Sequence, residues 1–303
     1  MNAGGMQPVW RFAPSPNGRL HLGHAASALL NYTGARRGGG RFLLRIEDID
    51  PARCRPEFEQ AVYDDLQWLG LDWETPVLRQ SEHFPRYQAA LAGLRAEGLV
   101  YACFCSRGDI ARAVPAEHPR DWDGALVYPG TCRRLSAEAR ARRIAAGEPH
   151  AWRLNVAVLP PAFPSPSWRE AASVDFLETR EAVLDWRGWG DVILASKHAP
   201  ASYHLCVVLD DALQGVTHVV RGRDLYPATS VHRVLQTLLN LPAPLYFHHP
   251  LIVDDEQRKL SKRLGSAGLA DLRCEGVTAD DIWRMLGFQR QRAKSPEGSP
   301  PRQ

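Results

Sequence analysis

No apolar run in the chain approaches the roughly 20 residues that a transmembrane helix needs, so no membrane span is expected. Its opening residues, MNAGGMQP, lack both the basic n-region and the apolar stretch of a secretory signal. Without export, six cysteines read as reduced thiols, metal ligands or core residues rather than a disulfide framework. Internal repeats and low-complexity tracts are absent up to the polar, Pro/Ser-rich tail that begins at Gln289. Nor is there a strong excess of one charge. A net charge of +3 over 303 residues permits a nucleic-acid partner without arguing for one. These absences exclude transporters, secreted disulfide scaffolds and solenoids, and point to a cytoplasmic protein. What is present, 45% hydrophobic and 23% charged residues, suits a globular chain long enough to bury a full core.

The most informative stretch runs from Val9 to His24, VWRFAPSPNGRLHLGH. A strand-like run, Val9 to Ala13, passes through a Pro/Ser/Asn/Gly turn into a helical pattern from Leu20 to Arg37. Strand, breaker loop and helix together leave a helix N-terminus facing a ligand. His21 and His24 would stand there on one helical face, with Gly23 between them allowing a close approach. An imidazole pair beside the positive end of a helix suits a phosphate that gains charge during reaction.

Arg41 to Ile46 reads as a buried parallel strand ending in the acids Glu47, Asp48 and Asp50. Acids at that end of a strand lie where doubly wound sheets bind ligands, or they merely cap the next helix. Pro56 to Gly70 and Ser81 to Gly98 read as amphipathic helices, with Ser81 as the cap of the second. From Tyr101 the character changes. Cys103 and Cys105 precede a turn-rich segment that returns at Cys132, giving three ligands of a tetrahedral zinc site. Tyr128, His118 and Asp123 are candidates for the fourth, and ligand chemistry alone favours His118. Proline-dense Leu159 to Ser167 suggests irregular structure.

Alternation resumes after Gly190. Strands are expected at Asp191 to Ala195, Val216 to Val220 and within Pro244 to Val253, and helices at Tyr203 to Leu213 and Leu225 to Leu241. The expected fold is α/β: a doubly wound, Rossmann-type parallel sheet interrupted by a zinc-bearing insertion, with a small C-terminal helical segment. Residues 9–100 and 191–288 would form its two halves and 101–190 the insertion, with 1–8 and 289–303 as flexible tails. A charged loop, Lys259 to Leu264, follows the last strand.

HLGH followed late by KLSKR resembles the HIGH and KMSKS pair of the class I aminoacyl-tRNA synthetases, in the order and contexts that class requires. RFAPSPNGRLHLGH, RIEDID, SYHLCVVLDD and HVVRGRDL look like its glutamyl branch. About 40 residues follow Lys262, too few for the anticodon-reading region of glutamyl-tRNA synthetases. The short length and the Cys103, Cys105, Tyr128, Cys132 pattern resemble instead the glutamyl-Q tRNA(Asp) synthetase family. Val207, where the ordinary glutamyl enzymes usually have asparagine, agrees.

The resemblance implies ATP-dependent activation of L-glutamate without tRNA, then transfer to the queuosine base in the anticodon of tRNA(Asp). A truncated glutamyl-tRNA synthetase charging a 3′ end is the alternative. Arg11, Phe12, Ala13, Pro14, Ser15, Glu47, Tyr203 and Arg221 would surround glutamate. His21, Gly23, His24, Lys259 and Lys262 would meet ATP, with His21, His24 and Lys262 catalytic. The resemblance moves the fourth zinc ligand from His118 to Tyr128. It implies one structural Zn²⁺, Mg²⁺ accompanying ATP, and no obligatory protein partner.

Overall fold

The computed structural model describes residues 7–160, 163, 165–252 and 268–289. Strand β1 (Val9–Phe12) is buried along its whole length and pairs in parallel with β2 (Arg41–Ile46), in register from Val9↔Arg41 to Phe12↔Leu44. A parallel pair needs a crossover, here α1 (Leu22–Arg37). Gly34 lets that helix lie close, since a Cβ there would stand 2.5 Å from the Trp10 ring. Helix α2 (Pro56–Trp68) has a proline in its first turn, where the missing N–H costs nothing. It leads to β3 (Glu74–Arg79), which takes the sheet edge beside β2. The sequence pattern gives no sign of β3. Its residues are exposed or half-buried and include a proline, a composition tolerated only at an edge.

Helix α3 (Phe84–Ala96) begins after a short 3-10 turn and not at Ser81, which corrects the expected cap. The amide and hydroxyl of Ser81 both donate to the Asp48 carboxylate, at 2.8 and 2.6 Å. Next come β4 (Val100–Cys103), α4 (Arg107–Arg112), α5 (Ala137–Ala145) and β5 (Ala151–Leu154). A hairpin follows, β6 (Trp168–Ala171) and β7 (Thr179–Ala182), then β8 (Ile193–Ala195). The remainder is α6 (Tyr203–Leu213), β9 (His218–Gly222), α7 (Ala228–Leu238), β10 (Leu245–His249), α8 (Leu269–Cys274) and α9 (Ala279–Met285).

The large sheet runs β3-β2-β1-β9-β10-β6-β7, parallel as far as β6, and β4-β5-β8 form a small antiparallel sheet. This is a doubly wound α/β fold with a small helical segment after it. The exchange between sheets does not follow the boundary expected at residue 190. The β6–β7 hairpin joins the large sheet beside β10, whereas β8 pairs with β5 in the small one. Buried Asp191 explains the second placement. It accepts hydrogen bonds from Tyr101, Arg133 and the Val156 amide, all in the small-sheet region. A three-residue apolar strand carries no signal of which sheet it will join.

Two apolar clusters hold the layers. Trp10, Phe12, Leu29, Leu44 and Leu66 pack with Ile282 and Trp283 of α9, and Trp283 Nε1 donates to the Leu69 carbonyl at 3.0 Å. Tyr87, Leu91, Leu205, Leu209, Val231 and Leu235 join α3, α6 and α7 with Leu154 and Leu194 of the small sheet. Val207 belongs to this cluster at 2% exposure. Among the described residues no helix is long and apolar enough to cross a membrane.

Candidate active site

The carboxyl ends of β1, β2, β9 and β10 surround a cavity of about 570 Å³, where ligands bind in doubly wound sheets. Its wall brings together Arg11, Phe12, Ala13, Pro14, Ser15, His21, Gly23, His24, Glu47, Tyr203 and Arg221. Every expected glutamate-side residue is therefore in one place. Lys259 and Lys262 lie outside the described residues.

His21 is not a helical residue but the N-cap of α1, which corrects the expected HxxH face. Its Nδ1 accepts from the Gly23 amide at 3.1 Å, and His24 Nδ1 accepts from the His21 amide at 3.2 Å. The two rings thus perform the reciprocal capping usually done by Ser and Glu. Acceptance at both Nδ1 atoms places the ring protons on Nε2. The imidazoles then present N–H donors suited to phosphate. Gly23 is required by the His21 ring itself, which a Cβ would meet at 2.9 Å.

The acids of the second strand divide. Glu47 lines the cavity, while Asp48 binds Ser81 and Asp50 binds Arg53 and the Ala52 amide. Asp210 and Asp211 divide likewise. Asp210 accepts from Gln80 at 2.8 Å and Tyr87 at 2.9 Å, tying α3 to α6. Asp211 accepts from Arg11 Nε at 3.1 Å and Arg45 Nη1 at 2.7 Å, and Arg45 Nη2 reaches Glu47 at 3.1 Å. Burial works against charge on Asp211, but Arg11 and Arg45 outweigh it and lower its pKa. Burial raises Glu47 despite its ion pair with Arg45, so a second cation in the cavity would favour its charged form.

The two cavity arginines are held differently. Arg11 is anchored through Nε alone, and its Nη groups have no hydrogen-bond partner among the described residues. Arg221 has a partner for each of its N–H groups. Nε donates to His248 Nε2 at 3.1 Å. Nη1 donates to the Tyr203 hydroxyl and His232 Nδ1, each at 3.2 Å, and Nη2 to the Leu225 carbonyl at 3.2 Å and Thr229 Oγ1 at 2.7 Å. Those partners are all neutral. Burial lowers His248 and His204 to about 4 and His232 further. Among the described residues no carboxylate contacts Arg221.

Sequence reasoning missed Asn17, Ser27, Asp224 and His249 in the same wall. Ser27 Oγ lies 2.6 Å from His249 Nε2, joining α1 to the end of β10. A signal existed. Two histidines close a parallel strand at the end where ligands bind.

In the small-sheet region, the thiols of Cys103, Cys105 and Cys132 lie within 4.8 Å of one another. Cys105 Sγ stands 3.5 Å from Cys132 Sγ and 3.4 Å from the Tyr128 hydroxyl. Zinc–sulfur bonds of about 2.3 Å give a tetrahedral edge of about 3.8 Å, so the set fits such an ion. Hydrogen bonding by Cys103, then Tyr128, pulls the Cys132 thiol toward thiolate. His118 is turned elsewhere, its Nε2 lying 2.9 Å from the Val127 carbonyl.

Residues 9–286 match the catalytic domain of the class I tRNA synthetases (E and Q). The chain belongs to that family. It is a ligase, and its relatives include proteins named glutamyl-Q tRNA(Asp) synthetase, at 39–47% identity, and glutamate–tRNA ligases, at 36–37%. A glutamyl-Q tRNA(Asp) synthetase of Rhodobacter capsulatus is 47% identical, over 92% of this chain and 100% of that one. Another of that name, from Nocardia farcinica, is 43% identical over 91% of this chain and 82% of that one. The crystal structure of a glutamate tRNA ligase from Elizabethkingia meningosepticum, in complex with its amino acid, shares the fold. It superposes with a TM-score of 0.70 at 24% identity, over 92% of this synthetase and 60% of that longer chain.

Proposed function

We propose that this synthetase activates L-glutamate with ATP in the absence of tRNA and transfers it to the queuosine base in the anticodon of tRNA(Asp). One observation carries the activation half. A single cavity holds the Nη groups of Arg11 and the charge of Arg221, neither with a carboxylate contact there among the described residues, the buried carboxylate of Glu47, and two imidazoles whose Nδ1 atoms accept from the backbone. That set suits an amino acid with two carboxylates beside a phosphate. The names of the relatives support the acceptor.

In the first step the α-carboxylate of glutamate attacks the α-phosphorus of ATP, forming a mixed anhydride and expelling pyrophosphate. No protein nucleophile is needed, so the chain contributes positioning and charge stabilisation. His21 and His24 would donate to the phosphates, Lys259 and Lys262 would add cations, and Mg²⁺ would travel with ATP. In the second step a hydroxyl of the cyclopentene-diol of queuosine attacks the anhydride carbonyl. An ester forms and AMP leaves. Cys103, Cys105, Tyr128 and Cys132 would hold one structural zinc, a closed set with no position left for substrate.

The decisive experiment is to react the enzyme with radiolabelled glutamate, ATP and tRNA, then find which nucleotide carries the label. Label on queuosine of tRNA(Asp), and none on tRNA(Asp) lacking that base, is the expected result. Label on the 3′ terminus of tRNA(Glu) would replace this reading with the truncated synthetase.

A further inference from the structure

One histidine, His248, stands between Arg221 and the carboxylate of Glu170. Strand β10 lies between β9 and β6, and His248 stands opposite Arg221 in register. On β6, Glu170 is only 6% exposed and turns its carboxylate to His248. The His248 amide donates to Glu170 Oε1 at 3.0 Å, and Trp168 Nε1 donates to Oε2 at 2.8 Å. His248 Nδ1 lies 2.9 Å from Oε2. An ionised carboxylate can only accept, so Nδ1 carries the ring proton and Nε2 is left with its lone pair. Arg221 Nε–H, 3.1 Å away, donates into that lone pair. The other tautomer would set Nε2–H against an arginine N–H that is never lost.

We propose that Glu170 is a positioning residue: by holding His248 in its Nδ1–H form, it fixes the Arg221 guanidinium where a substrate carboxylate meets its charge. This rests on the reading of Arg221 as a glutamate-binding residue. His232 completes the clamp from the other side. Its Nδ1 accepts from Arg221 and its Nε2 lies 3.2 Å from His204 Nδ1, so its own tautomer is fixed in turn. The hairpin carrying Glu170 therefore brings to the sheet edge an acceptor that the β9–β10 pair lacks. Burial keeps His248 neutral and able to accept.

The test is pyrophosphate exchange by the full chain over a grid of glutamate and ATP concentrations, for wild type, Glu170→Leu, Glu170→Gln and Arg221→Ala, with ¹⁵N spectra of the histidine rings. Glu170→Leu is expected to raise the KM for glutamate about 10–100-fold, the range for loss of a bond to a charged group, with the KM for ATP within twofold. Glu170→Gln retains an acceptor oxygen, so a smaller rise, about 2–5-fold, is expected. His248, assigned by its loss in His248→Gln, should show Nδ1 protonated in wild type and a mixed or reversed tautomer in Glu170→Leu. If Glu170→Leu does not fold, Glu170→Gln and the wild-type spectrum decide. A protonated Nε2 in wild type overturns the proposal, as does a glutamate KM unchanged in both Glu170 variants. Equal rises in both KM values mark a merely structural role and overturn it too. Arg221→Ala separates the two claims. An unchanged glutamate KM there removes the underlying reading, whereas a raised one beside silent Glu170 variants removes only the positioning role.

Discussion

Arg11 and Arg221 enter the same cavity from neighbouring strands and are both almost fully buried, yet each is prepared for a different task. Arg11 has spent its charge on Asp211 and kept its Nη donors. Arg221 has spent its donors on histidines, hydroxyls and a carbonyl, and kept its charge. A guanidinium offers both hydrogen bonds and a field, and here the two are divided between two residues. Bidentate donation from Arg11 would orient a carboxylate, while the field of Arg221 would reject a neutral amide in its place.

Removing the anion behind Arg11 should do the most damage. Asp211→Asn leaves Arg11 and fully buried Arg45 short of a counter-charge. Breaking a buried pair this way typically costs about 3–5 kcal/mol. Urea unfolding at neutral pH should show that loss, and a variant as stable as wild type would mean Asp211 does not set the charge balance.

Acid should attack the other arginine first. His248 and His204 are lowered to about 4 by burial, and in the unfolded chain each takes a proton near 6.5. Between those values the unfolded state binds more protons, so stability falls as pH falls through this window and is fully present above it. The difference amounts to about 3 kcal/mol for each histidine. Asp65, raised to about 6 by burial, opposes part of it between its unfolded and folded values. Asp211 is held below the ordinary range, so the Arg11 side should survive the same titration. Equilibrium unfolding from pH 7 to pH 4 checks this, together with His248→Gln, which should flatten the loss.

Lysine substitutions sharpen the contrast on activity. Arg11→Lys keeps a charge and loses the fork, so kcat/KM for glutamate should fall about 100-fold, in line with loss of charge-assisted hydrogen bonds. Arg221→Lys keeps the field and should lose about tenfold while retaining preference for glutamate over glutamine. Equal losses and equal preferences would end the division of labour.

Removal of the zinc proposed for the cysteine cluster should affect the comparison least. Neither arginine touches that cluster, and the binding energy of a structural ion there would be local folding energy. Chelation should speed proteolysis within residues 101–160 and change the KM for glutamate by less than about twofold. A larger change would couple the insertion to the cavity.

The order of strands and helices along most of the chain was legible without coordinates, because each short segment has a period or turn chemistry set by near neighbours. The grouping of Arg11, the two histidines, Glu47, Tyr203 and Arg221 was legible only through the resemblance to the glutamyl synthetases, since no local pattern joins such distant segments. Helix α6 even keeps the bounds read from its pattern, Tyr203–Leu213. The rest depended on partners distant in sequence. Asp48 looked like a site acid, but its partner is Ser81. Strand β8 and the β6–β7 hairpin changed sheets because Asp191 and β10 were waiting for them. Glu170 lies 78 positions from the histidine it orients. Sequence alone determined which chemical groups were available and which local geometry would carry them. Tertiary structure decided which arginine would keep its charge, because counter-charge and tautomer depend on what a side chain meets across the sheet, and no local pattern encodes that.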